Sequence, residues 1–269
     1  MVPKIPIITL LTDFGLNDQY VAVMKGVIWN IQPDAQIVDI SHLVPPQNIA
    51  QAAYLVKQTY PYFPNNTIHL VVVDPDVGTN RKALLVSTDW GYFLAPDNGV
   101  LSYVYATEPS FQVREITASH YFLKPRTGTF DGRDLFAPVA AWMLKGVSAP
   151  AIGELLTEYQ KFDLPQPVAI QEGIWRCKIV YIDRFGTLVS NLGHEQFTQL
   201  RDASKQRRFA FRIGEQNVSK LCQAYSEGAK GEVFAILGSS GNLEFSANHG
   251  SAQQLTGVEV GADILLKIV

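Results

Sequence analysis

The run TIHLVVVDP, residues 67–75, decides the fold. From Ile68 to Val73 it is apolar apart from His69, rich in β-branched residues, and followed at once by an Asp-Pro turn. It lacks the polar–apolar alternation of a half-solvated strand and is too short for an ordinary helix. Such a run reads as a central parallel strand buried on both faces. Working outward, IPIITLL (residues 5–11) is a second buried strand that stops at the polar loop TDFGLND (12–18). Tyr20, Val23, Met24, Val27, Ile28 and Ile31 then recur at helical spacing. AQIVDI (35–40) reads as a strand, VPPQ (44–47) as a turn, and Ala50 to Tyr60 as a helix. KALLVSTDW and GYFLAP add two strands, and a helix is expected within TFDGRDLFAPVAAWMLKG (129–146), where Phe136, Val139, Ala140 and Met143 share a face. Strands alternating with helices specify an α/β domain with a largely parallel sheet.

The pattern changes after about Ala151. EYQKFDLPQPVAIQEG (158–173) holds two prolines and little helical period, and reads as a connector. Beyond it come short strand-like runs: IWRCKIVYIDRFG, TLVSNL, RRFAFRIG, EVFAILG, NLEFSA and DILLKIV. Gly, Ser and Asn turns separate them, as in a small antiparallel barrel or sandwich. The expected division is an α/β substrate-binding domain over 1–160, a linker over 161–170, and a smaller C-terminal antiparallel β-barrel-like domain over 171–269.

Composition narrows the function. The chain has 269 residues, 47% hydrophobic and 17% charged, enough to bury a sizeable core. A formal charge of −3 disfavours a sequence-independent grip on nucleic acid, which needs a basic surface. Cys177 and Cys222 lie far apart and form no CxxC pair, so packing thiols are expected rather than a disulfide framework or a zinc site. His42, His69, His120, His194 and His249 show no i, i+3 or i, i+4 pairing, which argues against a metal hydrolase. Ile5–Leu11 is short for a signal-peptide core and no apolar run is long enough for a membrane span, so a cytoplasmic location without membrane association is expected.

Three polar segments could carry chemistry. In open α/β sheets ligands sit beyond the carboxyl ends of the strands, and here those ends carry TDFGLND, VDISH and VVVDPDVGTNR. Asp13 and Asp18, five residues apart, suit the hydroxyls of a ribose, although either could instead cap the next helix. Arg81 lies seven residues beyond Asp74, within reach of an ion pair that could equally be structural. Asp131 and Asp134 precede a helix, where its dipole alone would favour them. Neither a GxGxxG nor a P-loop pattern occurs.

Taken in order, TDFGxxD, VVDPxVGTxR, APDNG, TFxGRDxFAP, DxFGxxxxN and GSSGxLEFSxNxGSA span nearly the whole chain. This series resembles the S-adenosylmethionine hydroxide adenosyltransferases, relatives of the fluorinase and chlorinase that use halide in place of water. The resemblance implies hydrolysis of S-adenosylmethionine to adenosine and methionine, with S-adenosylmethionine as substrate and no cofactor. It implies a homotrimer in which the large domain of one subunit and the small domain of the next form each site. Asp13 matches the aspartate that holds the ribose hydroxyls, with Asp18 in the same loop. Asp183 matches the aspartate that meets the methionine ammonium, and Phe185 an aromatic near the adenine. Ser239 and Ser240 fall in the loop for the amino-acid end, and Ala247, Asn248 and His249 where backbone groups read the adenine edge. Asp74 and Arg81 match two members of a water-handling Asp-Arg-His set, but Asp131 stands where the histidine is expected. Thr187 replaces a usual asparagine, while Asn191 is retained. Gln47, in place of an aromatic, and Asp74, in place of tyrosine, point away from halide chemistry.

The expected mechanism is in-line attack of water on the ribose 5′ carbon. Arg81 would neutralise Asp74, and Asp131, or a proton shared between the carboxylates, would receive the water proton. A non-catalytic adenosine or S-adenosylmethionine binder, or a halogenase-like adenosyltransferase, are the alternatives that product analysis separates from it.

Overall fold

The computed structural model describes residues 7–203 and 208–268. The chain divides into two compact units, 1–163 and 164–269.

The first unit runs β1 (Ile7–Thr12), α1 (Tyr20–Ile31), β2 (Gln36–Ser41), α2 (Ile49–Thr59), β3 (Thr67–Val72), β4 (Ala83–Thr88), β5 (Gly91–Pro96), α3 (Ser102–Thr107), β6 (Phe111–Glu115), α4 (Ala137–Leu144) and α5 (Ala149–Ile152). The sheet order is β2-β1-β3-β5-β4-β6, parallel from β2 through β5. β4 pairs antiparallel with both β5 and β6, so it is the one reversed strand of the six. The Asp89–Trp90 turn between β4 and β5 produces that reversal, since two residues can close an antiparallel hairpin but not a parallel crossover.

All six residues of β3 are buried. Ile68, Leu70 and Val72 pack with Ile8, Leu10, Met24 and Phe136 on one face. Val71 and Val73 pack with Leu11, Val56 and Val104 on the other. This double burial explains the unbroken apolar run. His69 belongs to it: its Nδ1 lies 2.8 Å from Thr9 Oγ1 and its ring stacks on Phe93. Burial pushes its pKa down to about 3, so the imidazole is neutral and structural.

The helix expected within residues 129–146 is present as α4, preceded by a turn that the sequence pattern did not indicate. Gly132–Phe136 forms a single π-helical turn that leads into α4. Pro138 has no N–H to offer the Asp134 carbonyl, which accepts instead from Leu123 N at 2.9 Å. The TFDGRD segment is thereby left as a shaped approach to the helix. α3, β6 and α5 had no sequence signal strong enough to be read. The segment 158–163 returns to this unit, because Gln160 N donates to Asp97 Oδ1 and Phe162 N to Ser102 Oγ.

The second unit comprises β7 (Val168–Gln171), β8 (Ile174–Ile182), β9 (Leu188–Gly193), α6 (His194–Ala203), β10 (Phe209–Ile213), β11 (Gln216–Val218), β12 (Leu221–Cys222), β13 (Val233–Leu237), β14 (Asn242–Ala247), α7 (Ala252–Thr256) and β15 (Asp263–Ile268). Its strand path is β11-β10-β15-β8-β9-β14-β13-β12, with β7 on β8, and it is antiparallel except for β12–β13. The long β8 carries an irregularity between Ile179 and Tyr181, and the sheet curls into a half-barrel over Leu188, Phe197, Phe211 and Phe245. Cys177 and Cys222 are buried free thiols, and burial holds Cys177 up at about 12. Among the described residues no helix is long and apolar enough to cross a membrane, and no cluster of His, Cys, Asp and Glu could hold a metal ion.

Candidate active site

In the first unit, three loops at the carboxyl ends of β1, β3 and the turn before α4 carry the candidate side chains. The loop after β1 is tied down by its own backbone. Gly15 N donates to the His42 carbonyl at 2.7 Å, and Thr12 Oγ1 lies 2.9 Å from His42 Nδ1. Asp13 Oδ2 accepts from Gln47 N at 2.7 Å, a contact that holds Gln47 at a φ of 65°. That left-handed conformation is uncommon for a non-glycine residue and marks a constrained position. Asp18 is exposed; the N-cap of α1 is Gln19 and makes no side-chain capping bond, so neither aspartate caps the helix.

The loop after β3 is held by Asn98, whose Nδ2 donates to the Val73 carbonyl. Gly78, at a φ of 86°, lets this loop meet the next: a Cβ there would sit 2.9 Å from the Gly128 carbonyl oxygen. The loop before α4 is anchored by Asp134, which accepts from Thr127 N and Oγ1 and from Arg133 Nε.

These anchors bring Asp74, Arg81 and Asp131 together. Arg81 Nε donates to Asp74 Oδ1 and Oδ2 at 3.0 and 2.9 Å, and its Nη2 bridges Asp74 Oδ2 and Asp131 Oδ2. A fourth member went unread in the sequence. Arg126 Nε donates to Asp131 Oδ1 and its Nη2 to Asp131 Oδ2, both at 2.9 Å. The Asp131 side chain is 2% exposed and that of Asp74 5%. Both oxygens of each carboxylate accept from guanidinium nitrogens, but Asp131 is met by two guanidinium groups and Asp74 by one. Burial pushes the Asp74 carboxyl up against the downward pull of Arg81, and the charges of Asp131 and Asp76 add to the rise; its pKa ends above the ordinary value.

Asp74 and Asp131 open into a cleft of about 180 Å³ walled by Phe14, Tyr20, Val77 and Phe130. The three aromatic rings contact one another at 5.2–5.6 Å between centroids. An apolar wall facing two carboxylates is a place where a small nucleophile can be held out of bulk water.

The second unit carries the other expected residues on adjacent strand ends. Asp183 Oδ1 accepts from Phe185 N and Thr187 N, shaping a tight turn that leaves Phe185 79% exposed. Ser239 and Ser240 lie in the turn joining β13 to β14, where Ser240 Oγ donates to Glu244. Ala247 ends β14, Asn248 Nδ2 donates to the Gly228 carbonyl, and His249 sits at a φ of 51°. Asn191 is engaged elsewhere, its Oδ1 accepting from Lys178 N. Glu244 escaped the sequence reading. It is 6% exposed, and its pKa is raised by burial and by the charge of Asp183. An acid inside the otherwise uncharged strand NLEFSA was the available signal.

Sequence models of the SAM hydroxide adenosyltransferase N-terminal and C-terminal domains match residues 8–153 and 177–265. The chain belongs to the SAM hydroxide adenosyltransferase family. It is 35% identical to an (R)-S-adenosyl-L-methionine hydrolase of Methanocaldococcus jannaschii, covering 94% of this chain and 92% of that one. It is 32% identical to the protein of the same name from Thermus thermophilus, covering 95% and 97%. A fluorinase of Actinoplanes sp. is 24% identical over 70% of this chain and 72% of its own. Among solved structures, a conserved protein of Thermotoga maritima superposes with a TM-score of 0.89 at 35% identity, covering 97% of this chain and 99% of that one. Within the SAM hydroxide adenosyltransferases, this member thus presents an Asp74–Arg81–Asp131–Arg126 cluster at its cleft.

Proposed function

We propose that the protein hydrolyses S-adenosylmethionine to adenosine and methionine, with Asp74 as the group that receives the proton of the attacking water. Water oxygen forms a bond to the ribose 5′ carbon as the carbon–sulfur bond breaks. The bonding pair leaves with sulfur, which departs as a neutral thioether and needs no general acid. The observation that carries this reading is that Asp74, one of two buried carboxylates lining an aromatic-walled cleft, is met by one guanidinium group where Asp131 is met by two. That difference moves the base from Asp131 to Asp74, because Asp131 is engaged by both Arg81 and Arg126 and Asp74 by Arg81 alone. Arg81 orients Asp74, and the cleft excludes competing solvent.

Asp13 holds the ribose diol, with Asp18 in the same loop. Asp183, Ser239 and Ser240 bind the amino-acid end, and Phe185, Ala247, Asn248 and His249 frame the adenine, while Asn191, held on the Lys178 backbone, is left out of that role. The working assembly is a homotrimer in which the second unit of one copy serves the first unit of its neighbour. The enzyme acts in the cytoplasm and uses no cofactor.

Turnover in oxygen-18 water tests the reaction. Adenosine carrying the heavy oxygen at its 5′ position is the expected product, with chloride and fluoride present making no halogenated nucleoside. Adenosine with unlabelled 5′ oxygen, or no adenosine above a protein-free control, rules the reading out.

The ribose assignment has its own test. Charge-assisted hydrogen bonds to the diol are worth about 1.5–3 kcal/mol, so adenosine is expected to bind roughly 10- to 150-fold more tightly than 2′,3′-dideoxyadenosine. In Asp13→Ala the two ligands should bind alike by calorimetry. A preserved preference removes Asp13 from this role.

A further inference from the structure

Asp131 is a buried carboxylate beside a second buried carboxylate, Asp74, and Arg81 reaches both. One guanidinium between two such acids leaves an excess negative charge in a place with little water. Two close carboxylates in that situation hold on to a shared proton. Here the balance is made up by Arg126, which grips Asp131 with two nitrogens in the bidentate geometry suited to a carboxylate. Its side chain is 43% exposed and its guanidinium lies over the Phe122 ring, so it reaches inward from the rim rather than forming part of the core. Two carboxylates are then met by two guanidiniums.

We infer that Arg126 is a positioning residue of the reaction: by neutralising Asp131 it leaves Arg81 to orient Asp74 and keeps Asp74 ionised and ready to take a proton. The inference rests on the assignment of Asp74 as the base. An uncharged side chain at 131 would need no such partner, so the two positions should behave as one electrostatic unit. The remaining charged or titratable groups around Asp74 are Asp76, which opposes its ionisation, and the cleft-lining Tyr20. Asp134 is compensated by its own partner, Arg133.

The test is the pH dependence of kcat in Arg126→Met, Arg126→Lys and the double variant Arg126→Met/Asp131→Asn, with the carboxyl carbon of Asp74 titrated by NMR in each. In Arg126→Met the acid limb should move up by about one pH unit or more, which lowers kcat roughly tenfold per unit below the limb. The Asp74 carboxyl should titrate upward in parallel. Arg126→Lys keeps the charge and should leave both close to their original positions. The double variant removes a matched pair and should bring both back.

An unmoved Asp74 titration in Arg126→Met overturns the inference. So does a double variant as shifted as the single one, since Arg126 would then act through loop shape rather than charge. A different failure identifies the base assignment as the fault: the Asp74 titration moves as expected while the acid limb of kcat stays in place. Arg126→Gln gives the same reading as Arg126→Met should the latter fold poorly.

Discussion

The Asp74→Asn variant is expected to turn over S-adenosylmethionine about 10²- to 10⁴-fold more slowly than the parent protein, the usual contribution of a positioned general base. Asparagine keeps the size of the side chain and an oxygen for Arg81 to bind, but it cannot receive the proton of water. The loss should fall on kcat, with adenosine affinity largely unchanged, because Asp13 and not Asp74 is assigned to the ribose. Single-turnover reactions followed by liquid chromatography separate the two quantities. Asp131→Asn should be milder, since that carboxylate is engaged by two guanidinium groups, Arg81 and Arg126, and is not assigned to the water proton. Near-parent turnover in Asp74→Asn, with a large loss in Asp131→Asn, would return the base to Asp131.

The second large effect concerns stability. The Asp134 side chain is fully buried and accepts from Thr127 N, Thr127 Oγ1 and Arg133. Burial alone would raise its pKa, but the bonds from Arg133 and Thr127 outweigh burial and hold it below the ordinary carboxylate value. Its donors reach solvent, the Arg133 side chain being 28% exposed and Thr127 exposed, so removing it costs the charge-assisted hydrogen bonds and leaves no buried charge behind. Asp134→Ala should cost about 1.5–3 kcal/mol. For a unit of this size that corresponds to roughly 3–12 °C in Tm. The pH dependence follows from the direction of the shift. Because the folded pKa is depressed, the stabilisation is complete above the unfolded-state value near 3.8 and is lost as pH falls through the folded value. Thermal melts from neutral pH to below 3.8 should show the parent and Asp134→Ala converging at the acid end. A gap that persists there would assign the loss to packing instead of to the charge. Turnover should fall as well, since the Thr127 anchor shapes the approach to Asp131.

Much of this architecture was legible before any coordinates. The strands at 67–72 and 7–12 and the helices of residues 20–31 and 49–59 follow from apolar periodicity, which reports burial directly. Periodicity failed where burial is partial. β6 (FQVRE) is an edge strand with one fully buried residue, and α3 is a six-residue helix whose only signal was the turn before it. The π-helical turn before α4 was not readable from periodicity, because it depends on Pro138, whose missing N–H changes the turn that precedes it.

Asp74 and Arg81 could be paired from a seven-residue separation along one loop. Arg126 could not be joined to Asp131, although five residues separate them, because a nearby arginine and aspartate are usually solvated separately. Their pairing depends on the loop being turned inward by Asp134 and Thr127.

What the sequence determined by itself is the α/β and antiparallel β organisation and the set of acidic and basic residues at the strand ends, since both are written in local pattern and ordered motif. Tertiary structure alone decided which charges meet. Ion pairing inside a protein is set by which side chains lose water together, and that depends on distances of a few ångströms between loops remote in the chain. The close passage of Gly78 over Gly128 makes Arg81 a bridge between two carboxylates, and the inward turn of Arg126 gives Asp131 a second guanidinium that Asp74 lacks.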